Sequence, residues 1–479
     1  MELNYSELGF KCGLEIHQQL DSHKLFCQCE STLRQEQGSF EIKRKLHAIA
    51  GESGEIDKAA QYQANLNKEF IYQGYDSTCL VELDEEPPHN INQEALKIAI
   101  EIAILLNCKI IPITQIMRKT VIDGSNTSGF QRTVLIANNG FIETEFGKVG
   151  INAVILEEDA CRIVEKDNKK VIYKLDRLGI PLVEVVTAPD IKTPKQAKQA
   201  SLKIGEILRS CKVKRGIGTI RQDVSISIKG GQRIEMKGVQ DPKIIIDTIN
   251  NEIKRQEQLV KEKKSVSEVR KGNPDCSTDF LRPMPGSARM YPETDLEILR
   301  IPRDLINNIK KNLPKLKSEL EHDFKKTGLS QEMIKLLFKQ NQIEEFKLLL
   351  HSYNDPNLVA KVLLMFPKEI ATKKNISIKK VEKLLDIDIL IFILNALDKN
   401  KFPKSHIKTV MEKITDGNTK EESIIFEKQD NNIIEEKIRN IIKSKSGLNP
   451  NAYMGLVMKE FKGKVDGKFA MEIIKKFVK

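Results

Sequence analysis

The sequence predicts an α+β protein, a mostly antiparallel sheet carrying helices up to about Arg300, followed by an all-helical remainder. Three observations predict it. Short strand-like runs, "KVGINAVIL", "PLVEVV", "DVSISI" and "RIEMKGV", recur with Gly and Pro punctuation. Two amphipathic helices lie among them. After Ile301 the pattern changes to lysine-rich helical periodicity, as in "SQEMIKLLFKQNQIEEFKLLL" and "SIKKVEKLLDIDILIFILNAL".

"KCGLEIHQQLDSHKLFCQCES" opens with a strand pattern. Residues i and i+2 of a strand face the same way, so Glu15 and His17 project together while Leu14 and Ile16 pack behind. The first helix, "NINQEALKIAIEIAILLNC", takes Asn90 as N-cap and Gln93 as capping-box partner. The second, "TPKQAKQASLKIGEILRSC", takes Thr193 as N-cap and Pro194 at its first position, with Ala197, Ala200, Ile204, Ile207, Leu208 and Cys211 as its buried stripe. "KRQEQLVKEKKSVSEVRKGNPDC" reads as a charged helix running into a loop, and "DGNTKEESIIFEKQDNN" as a linker before a last small bundle. These changes of character divide the chain at 1–305, 306–415 and 416–479.

Bulk properties bound the function. A chain of 479 residues can bury a sizeable core, and its net charge of +11 suits a polyanionic partner. No stretch approaches the about 20 apolar residues of a membrane span, and the N-terminus lacks a secretory layout. Eight cysteines without a disulfide framework suit reduced thiols in the cytoplasm.

The hairpin "IRQDVSISIKGGQRIEMKGVQD" is the richest local pattern. Arg221, Asp223, Ser225 and Ser227 alternate with Val224, Ile226 and Ile228, and Arg233, Glu235 and Lys237 alternate with Ile234 and Met236. A three-residue Lys-Gly-Gly loop pairs Ser225 with Glu235 and Asp223 with Lys237, keeping like faces together, whereas a two-residue turn mixes them. "VILEEDACR" ends a strand in three acids, Glu157, Glu158 and Asp159, which solvation alone would satisfy. Glu184 is sharper, since it interrupts an apolar strand and needs a cation or donors to receive it. His17, Glu15, Glu158, Glu184 and the Asp223/Glu235 face together form a hard-oxygen set with one imidazole, which suits Mg²⁺. Lys119, Arg221, Arg233 and Lys237 could then neutralise a polyphosphate. No Walker motif and no kinase-type GxGxxG accompanies them. Cys27 and Cys29, with Cys79, are a candidate zinc set, but structural zinc sites usually have two close pairs, so buried free thiols are the plainer reading. "IDGSNTSGFQRT" fits a substrate loop or a tight structural loop equally.

"GLEIHQQLDSHKLFCQC", "LDEEPPHNINQEAL", "RKTVIDGSNTSGFQRT", "LEEDACR", "LDRLGIPLVEVVTAPDI" and "FLRPMPGSARMYPETD" occur in this order, and "NAYMGLVMKEFKGKVDGKF" lies near the end. Together they resemble GatE, the archaeal E-type family of glutamyl-tRNA(Gln) amidotransferase subunits, which is related to the bacterial B-type family, GatB. The resemblance implies a cradle domain similar to the glutamine synthetase catalytic fold, then helical and tail domains that hold tRNA. It implies an ATP-dependent reaction that phosphorylates glutamate on mischarged tRNA(Gln) and amidates it with ammonia. The ammonia comes from an asparaginase-like D-type partner that hydrolyses glutamine. The family's Mg²⁺ ligands carry over onto His17, Glu158 and Glu184, with Glu15 adjacent and Glu157 as rival to Glu158. Two departures stand out: only "VKEKKSVSEVRKGNPDC" occupies the position of the family's usual inserted domain, and "TDLEILRIP" lacks the expected prolines. The rival readings are a bacterial-type GatB working with A-type and C-type partners, and a tRNA-binding scaffold without kinase activity.

Overall fold

The computed structural model describes residues 3–48, 50, 54–284, 289–426, 431–445, 447–461 and 467–478. Part of "RPMPGSARMYPETD" (285–288), of the linker (427–430) and of the tail motif (462–466) lies outside the described residues. The chain divides into two compact units, Met1–Lys317 and Ser318–Lys479.

The first unit is built on one large sheet. Its strands are β1 (Lys11–Gln19), β2 (Ile116–Thr120), β3 (Phe130–Thr144), β4 (Gly147–Glu158), β5 (Pro181–Thr187), β6 (Ile220–Ser227), β7 (Ile234–Lys237), β8 (Glu268–Gly272), β9 (Thr278–Pro283) and β10 (Met290–Pro292). They lie in the order β9-β8-β7-β6-β1-β5-β4-β3-β2-β10, with Lys109–Ile110 pairing on β3 as an eleventh strand. Along this path only β7 and β8 run parallel.

Strand alternation gives the sheet two unlike faces. Helix α1 (Lys58–Asn65) is short. Leu14, Ile16, Val154, Leu156, Val183, Val185, Val224, Ile226, Ile234 and Met236 are buried in one cluster with residues of α2 (Gln93–Leu105), α3 (Pro194–Ser210) and α4 (Ile245–Lys261). α3 begins as read from the sequence, with Thr193 Oγ1 accepting from the Gln196 N–H and Pro194 inside the first turn. For α2 the cap is Asn92 and not Asn90: its side chain accepts from Glu94 and Ala95 and the helix starts at Gln93. Both asparagines precede the helix, and only the later one stands where its oxygen meets the free N–H groups of the first turn.

The hairpin register also stands as read, with Ser225 opposite Glu235 and Val224 opposite Met236. Its connection is longer than three residues, because the ladder stops at Ile226–Ile234 and a turn from Ile228 to Gly231 puts Gly230 at φ +79°. The charged helix is α4, but the "EVRKG" beyond it is strand β8 and not loop.

A smaller four-stranded sheet (Phe40–Arg44, Glu69–Gly74, Lys170–Lys174, Arg162–Lys166) packs Phe70, Tyr72, Tyr173 and Leu175 into its own core. The loop "IDGSNTSGF" is fastened to it. Tyr72 donates to Gly124 O at 2.8 Å, Tyr173 donates to Asp123 O at 2.8 Å, and Asn126 and Thr127 are buried. It is a tight structural loop.

The second unit is helical and has two separate cores, one of residues between Phe324 and Ile424, the other of residues between Ile434 and Ile474. The first half of the expected linker is folded: Lys420–Ser423 is a helical turn with a complete capping box, and Ile424 is buried. Among the described residues no helix is long and apolar enough to cross a membrane.

Gly124 has φ +86°, and a Cβ there would stand 2.2 Å from the Phe70 ring. Gly124→Ala should therefore cost about 1–3 kcal/mol, read as a lower urea midpoint at unchanged slope. An unchanged midpoint would show that the loop is not held as described.

Candidate active-site cleft

The sheet face turned away from the helices forms an open cleft of about 550 Å³. Glu15, His17, Lys119, Glu157, Glu184, Arg221, Asp223, Arg233, Glu235 and Lys237 all line it. The register explains why they meet. His17 lies opposite Glu184 on one side and Arg221 on the other, while Glu15 lies opposite Asp223. Glu184 lies opposite Ile155, so Glu157, two residues on, shares its face.

Two acidic groups result. In the first, ligand atoms of His17, Glu157 and Glu184 lie within 4.8 Å of one another, and in the second so do those of Glu15, Asp223 and Glu235. His17 Nε2 is 3.6 Å from Glu184 Oε2 and 3.8 Å from Glu157 Oε1. Lys119 Nζ lies 3.2 Å from Glu157 Oε2 and 3.5 Å from Glu184 Oε2. Glu184 Oε2 is buried yet accepts no hydrogen bond. Burial works to raise the Glu184 carboxyl, but Lys119 and His17 hold it well below the usual carboxylate range. Glu157 is pushed up by burial and by the neighbouring Glu184 charge. In the second group, Lys237 Nζ reaches Asp223 Oδ2 at 2.6 Å and Glu235 Oε1 at 2.9 Å. Burial disfavours its charge, but these two carboxylates raise its pKa. Glu15 is pushed up to about 7, by burial first and then by Glu235 and Glu184.

Glu158 does not join either group, which corrects its expected place beside His17. It shares the phase of Val154 and Leu156, and Arg132 holds it: the Arg132 backbone N–H donates to Glu158 Oε2 at 3.2 Å and Arg132 Nη1 lies 3.6 Å from the same oxygen. Three charged residues to which the sequence assigns no role also line the cleft. Asp159 accepts from Gln19 Nε2 at 2.6 Å and from Arg221 Nη2 at 2.7 Å, so Arg221 is committed to it. Arg282 and Arg289 are the other two, and their only sequence signal is their place in "FLRPMPGSARMYPETD". Glu293 of the same motif is buried behind the cleft, where Arg118 and Arg132 both pair with it and tie β10's end to β2 and β3.

The donor set of the first group suits a small hard cation, and the buried Glu184 oxygen, which has ion-pair neighbours but no hydrogen bond among the described residues, is what such an ion would satisfy. His17, Glu157 and Glu184 are the residues that would hold it.

The cysteines converge elsewhere. Cys27, Cys29, Cys79 and Glu82 have ligand atoms within 4.8 Å of one another. Cys27 Sγ donates to Glu82 Oε1 at 3.0 Å, and the fully buried Lys24 pairs with the same oxygen at 2.9 Å. Burial, then Glu82, pushes the Cys79 thiol up to about 12 and the Cys27 thiol also upward. All eight cysteines are free. Lys24→Met would strand the Glu82 charge, costing about 3–5 kcal/mol, and pairing it with Glu82→Leu should recover most of the loss in urea unfolding. A single mutant as stable as the parent would remove Lys24 as an anchor.

Comparison with known proteins supports what the ordered motifs suggested. The GatB/GatE catalytic domain family matches residues 10–307. The chain is 36% identical to the glutamyl-tRNA(Gln) amidotransferase GatE protein of Methanocaldococcus jannaschii, over 644 aligned positions that cover all of both chains. It is 33% identical to the protein of that name from Archaeoglobus fulgidus, covering 100% of this chain and 99% of the relative. To one from Methanococcus maripaludis strain C7 it is 53% identical over 262 residues, 54% of this chain and 42% of that one. The first alignment is far longer than the 479 residues here, so that relative carries residues this chain lacks. The chain belongs to the GatE family of glutamyl-tRNA(Gln) amidotransferase subunits.

Proposed function

We propose that this chain is the ATP- and Mg²⁺-dependent component that converts Glu-tRNA(Gln) to Gln-tRNA(Gln). The observation that carries the reading is the pair of acidic groups, each with its own lysine, in one cleft of a chain from this family. In the proposed reaction a γ-carboxylate oxygen of the esterified glutamate attacks the terminal phosphorus of ATP. The bond to the bridging oxygen breaks, ADP leaves, and ammonia then displaces phosphate from the acyl carbon.

Mg²⁺ held by His17, Glu157 and Glu184 would offset phosphate charge. The chain's own residues supply the rest. Lys119 and Lys237 stand among carboxylates that keep them protonated, so they remain cationic beside a polyanion. Glu15, Asp223 and Glu235 offer a second place for a cation, ammonium among them. The apolar Ile155 and Leu182 floor the cleft between the charged rows. For the lysine-rich second unit, the reading is contact with the tRNA body through phosphates, with 416–479 as the tail.

The two neighbouring glutamates distinguish this site from a merely acidic strand end. Glu157→Gln and Glu184→Gln should each weaken Mn²⁺ or Mg²⁺ binding at least tenfold and abolish amidation with little change in tRNA affinity. Glu158→Gln should leave metal binding within about threefold, since it faces Arg132. Equal losses from Glu157 and Glu158 variants would overturn the assignment.

Ammonia must come from elsewhere. Amide hydrolysis needs an activated nucleophile with a positioned base, and the buried thiols here are driven towards their neutral, unreactive form. The reading therefore includes an asparaginase-like D-type amidotransferase partner, a glutaminase that donates ammonia. The purified chain should form Gln-tRNA(Gln) from Glu-tRNA(Gln), ATP and ammonium, but not from glutamine until that partner is added. Glutamine-dependent product from the chain alone would refute this division.

A further inference from the structure

Four of the cleft's cations are already committed to acids. Lys119 pairs with Glu157 and Glu184, Arg221 with Asp159, Lys237 with Asp223 and Glu235, and Arg233 with Glu15 at 3.4 Å and Glu235 at 3.7 Å. Arg282 near the end of β9 and Arg289 just before β10 are different. Both line the cleft and both line a small adjoining pocket, and among the described residues neither makes an ion pair.

Their surroundings sharpen the point. Met290 lies opposite Lys119 in the sheet, and Arg289 Nε donates to Thr120 O at 3.2 Å, so Arg289 stands beside Lys119. The nearby acids each have a partner besides the two arginines. Asp57 accepts from the Ala60 N–H at 2.9 Å as a helix cap, Asp123 accepts from Ser125, and Glu157 pairs with Lys119. Burial and then the charge of Arg282 act against the Arg289 cation and outweigh the support of Asp57, Glu157 and Asp123, and Arg289 in turn disfavours the charge on Lys119. Three cations thus converge at one end of the cleft, and among the described residues only Lys119 is held in ion pairs. Such an arrangement costs stability unless an anion completes it. Guanidinium forks match the paired oxygens of a phosphate.

We propose that Arg282 and Arg289 form an oxyanion subsite, beside Lys119, that grips the terminal phosphoryl group of the nucleotide as it passes to the acceptor carboxylate. This rests on the function proposed above. The arginines neither gain nor lose a proton. They bind equatorial oxygens of the phosphoryl group while the bond to ADP breaks and the bond to the carboxylate forms, and they hold the acyl phosphate until ammonia displaces it. The shared chemistry, a phosphate oxyanion, also belongs to the phosphodiesters of tRNA, and the test separates the two.

Amidation would be followed with ammonium as donor in the wild-type chain and in Arg289→Ala, Arg289→Lys and Arg282→Ala variants whose thermal unfolding matches the parent. ADP and a non-hydrolysable ATP analogue would be titrated calorimetrically in Mg²⁺. Arg289→Ala should lower kcat by roughly 10²–10³-fold, lose the preference for the triphosphate analogue over ADP, and leave ADP affinity within about threefold. Arg289→Lys should recover only part of kcat, and added guanidinium should partly rescue Arg289→Ala, which a purely structural role would not allow. Arg282→Ala should show the same pattern more weakly. Unchanged kcat and nucleotide preference in both alanine variants would overturn the proposal. So would a defect confined to the KM for tRNA, which would assign the pair to a tRNA phosphodiester. A wild-type chain that binds neither nucleotide would defeat the underlying function itself, a result distinct from unaffected variants.

Discussion

The two-residue repeat of β1 is the constraint on which the first unit depends. Leu14 and Ile16 enter the helix-covered core, so Glu15 and His17 must emerge on the opposite face. Because β1 lies between β5 and β6, its register brings Glu184 and Asp223 alongside. A slip of one residue on either side would bury the carboxylates against α3 and expose valines to water. The apolar face thus fixes the charged one: packing behind the sheet determines which acids meet in front of it.

That division lets the cleft hold a dense set of charges. Glu15, Glu157, Asp159, Glu184, Asp223 and Glu235 stand on one sheet face, and their mutual repulsion is offset by Lys119, Arg221, Arg233 and Lys237. The compensation is local and incomplete. Glu184 keeps a buried oxygen without a hydrogen bond, and Glu15 resists ionisation until near neutral pH. On the proposed function, the cations and anions of a substrate complex would take these places, and its assembly would relieve the repulsion.

Much of this was legible in the sequence because strict alternation is easy to read. Glu15 and His17, and the Asp223-to-Lys237 hairpin, each stand between apolar neighbours that declare the phase, and their faces and register follow. Glu157 and Glu158 do not have that advantage. Val154, Ile155 and Leu156 are all apolar, so nothing local says which of them points inward, and only the pairing of Glu184 with Ile155 decides. Arg282 and Arg289 were illegible for a different reason. Their motif is an irregular segment remote in sequence from Lys119, and only the β10–β2 pairing brings them to the cleft. The cap of α2 and the folded half of the linker were missed through ambiguity between adjacent polar residues, which tertiary contacts resolve.

The lone buried oxygen of Glu184 has an evolutionary consequence. A buried carboxylate on an otherwise apolar strand depends on the Lys119 and His17 charges beside it, so the three positions are tied to one another. Replacing Glu184 alone would take a partner from Lys119 and His17, whereas replacing the set with apolar residues could leave the domain as stable, and that loss would not readily reverse. Among relatives that have kept the architecture but not the chemistry, Glu184, Lys119 and His17 should be lost together. The cleft therefore carries its own marker of whether a descendant still works.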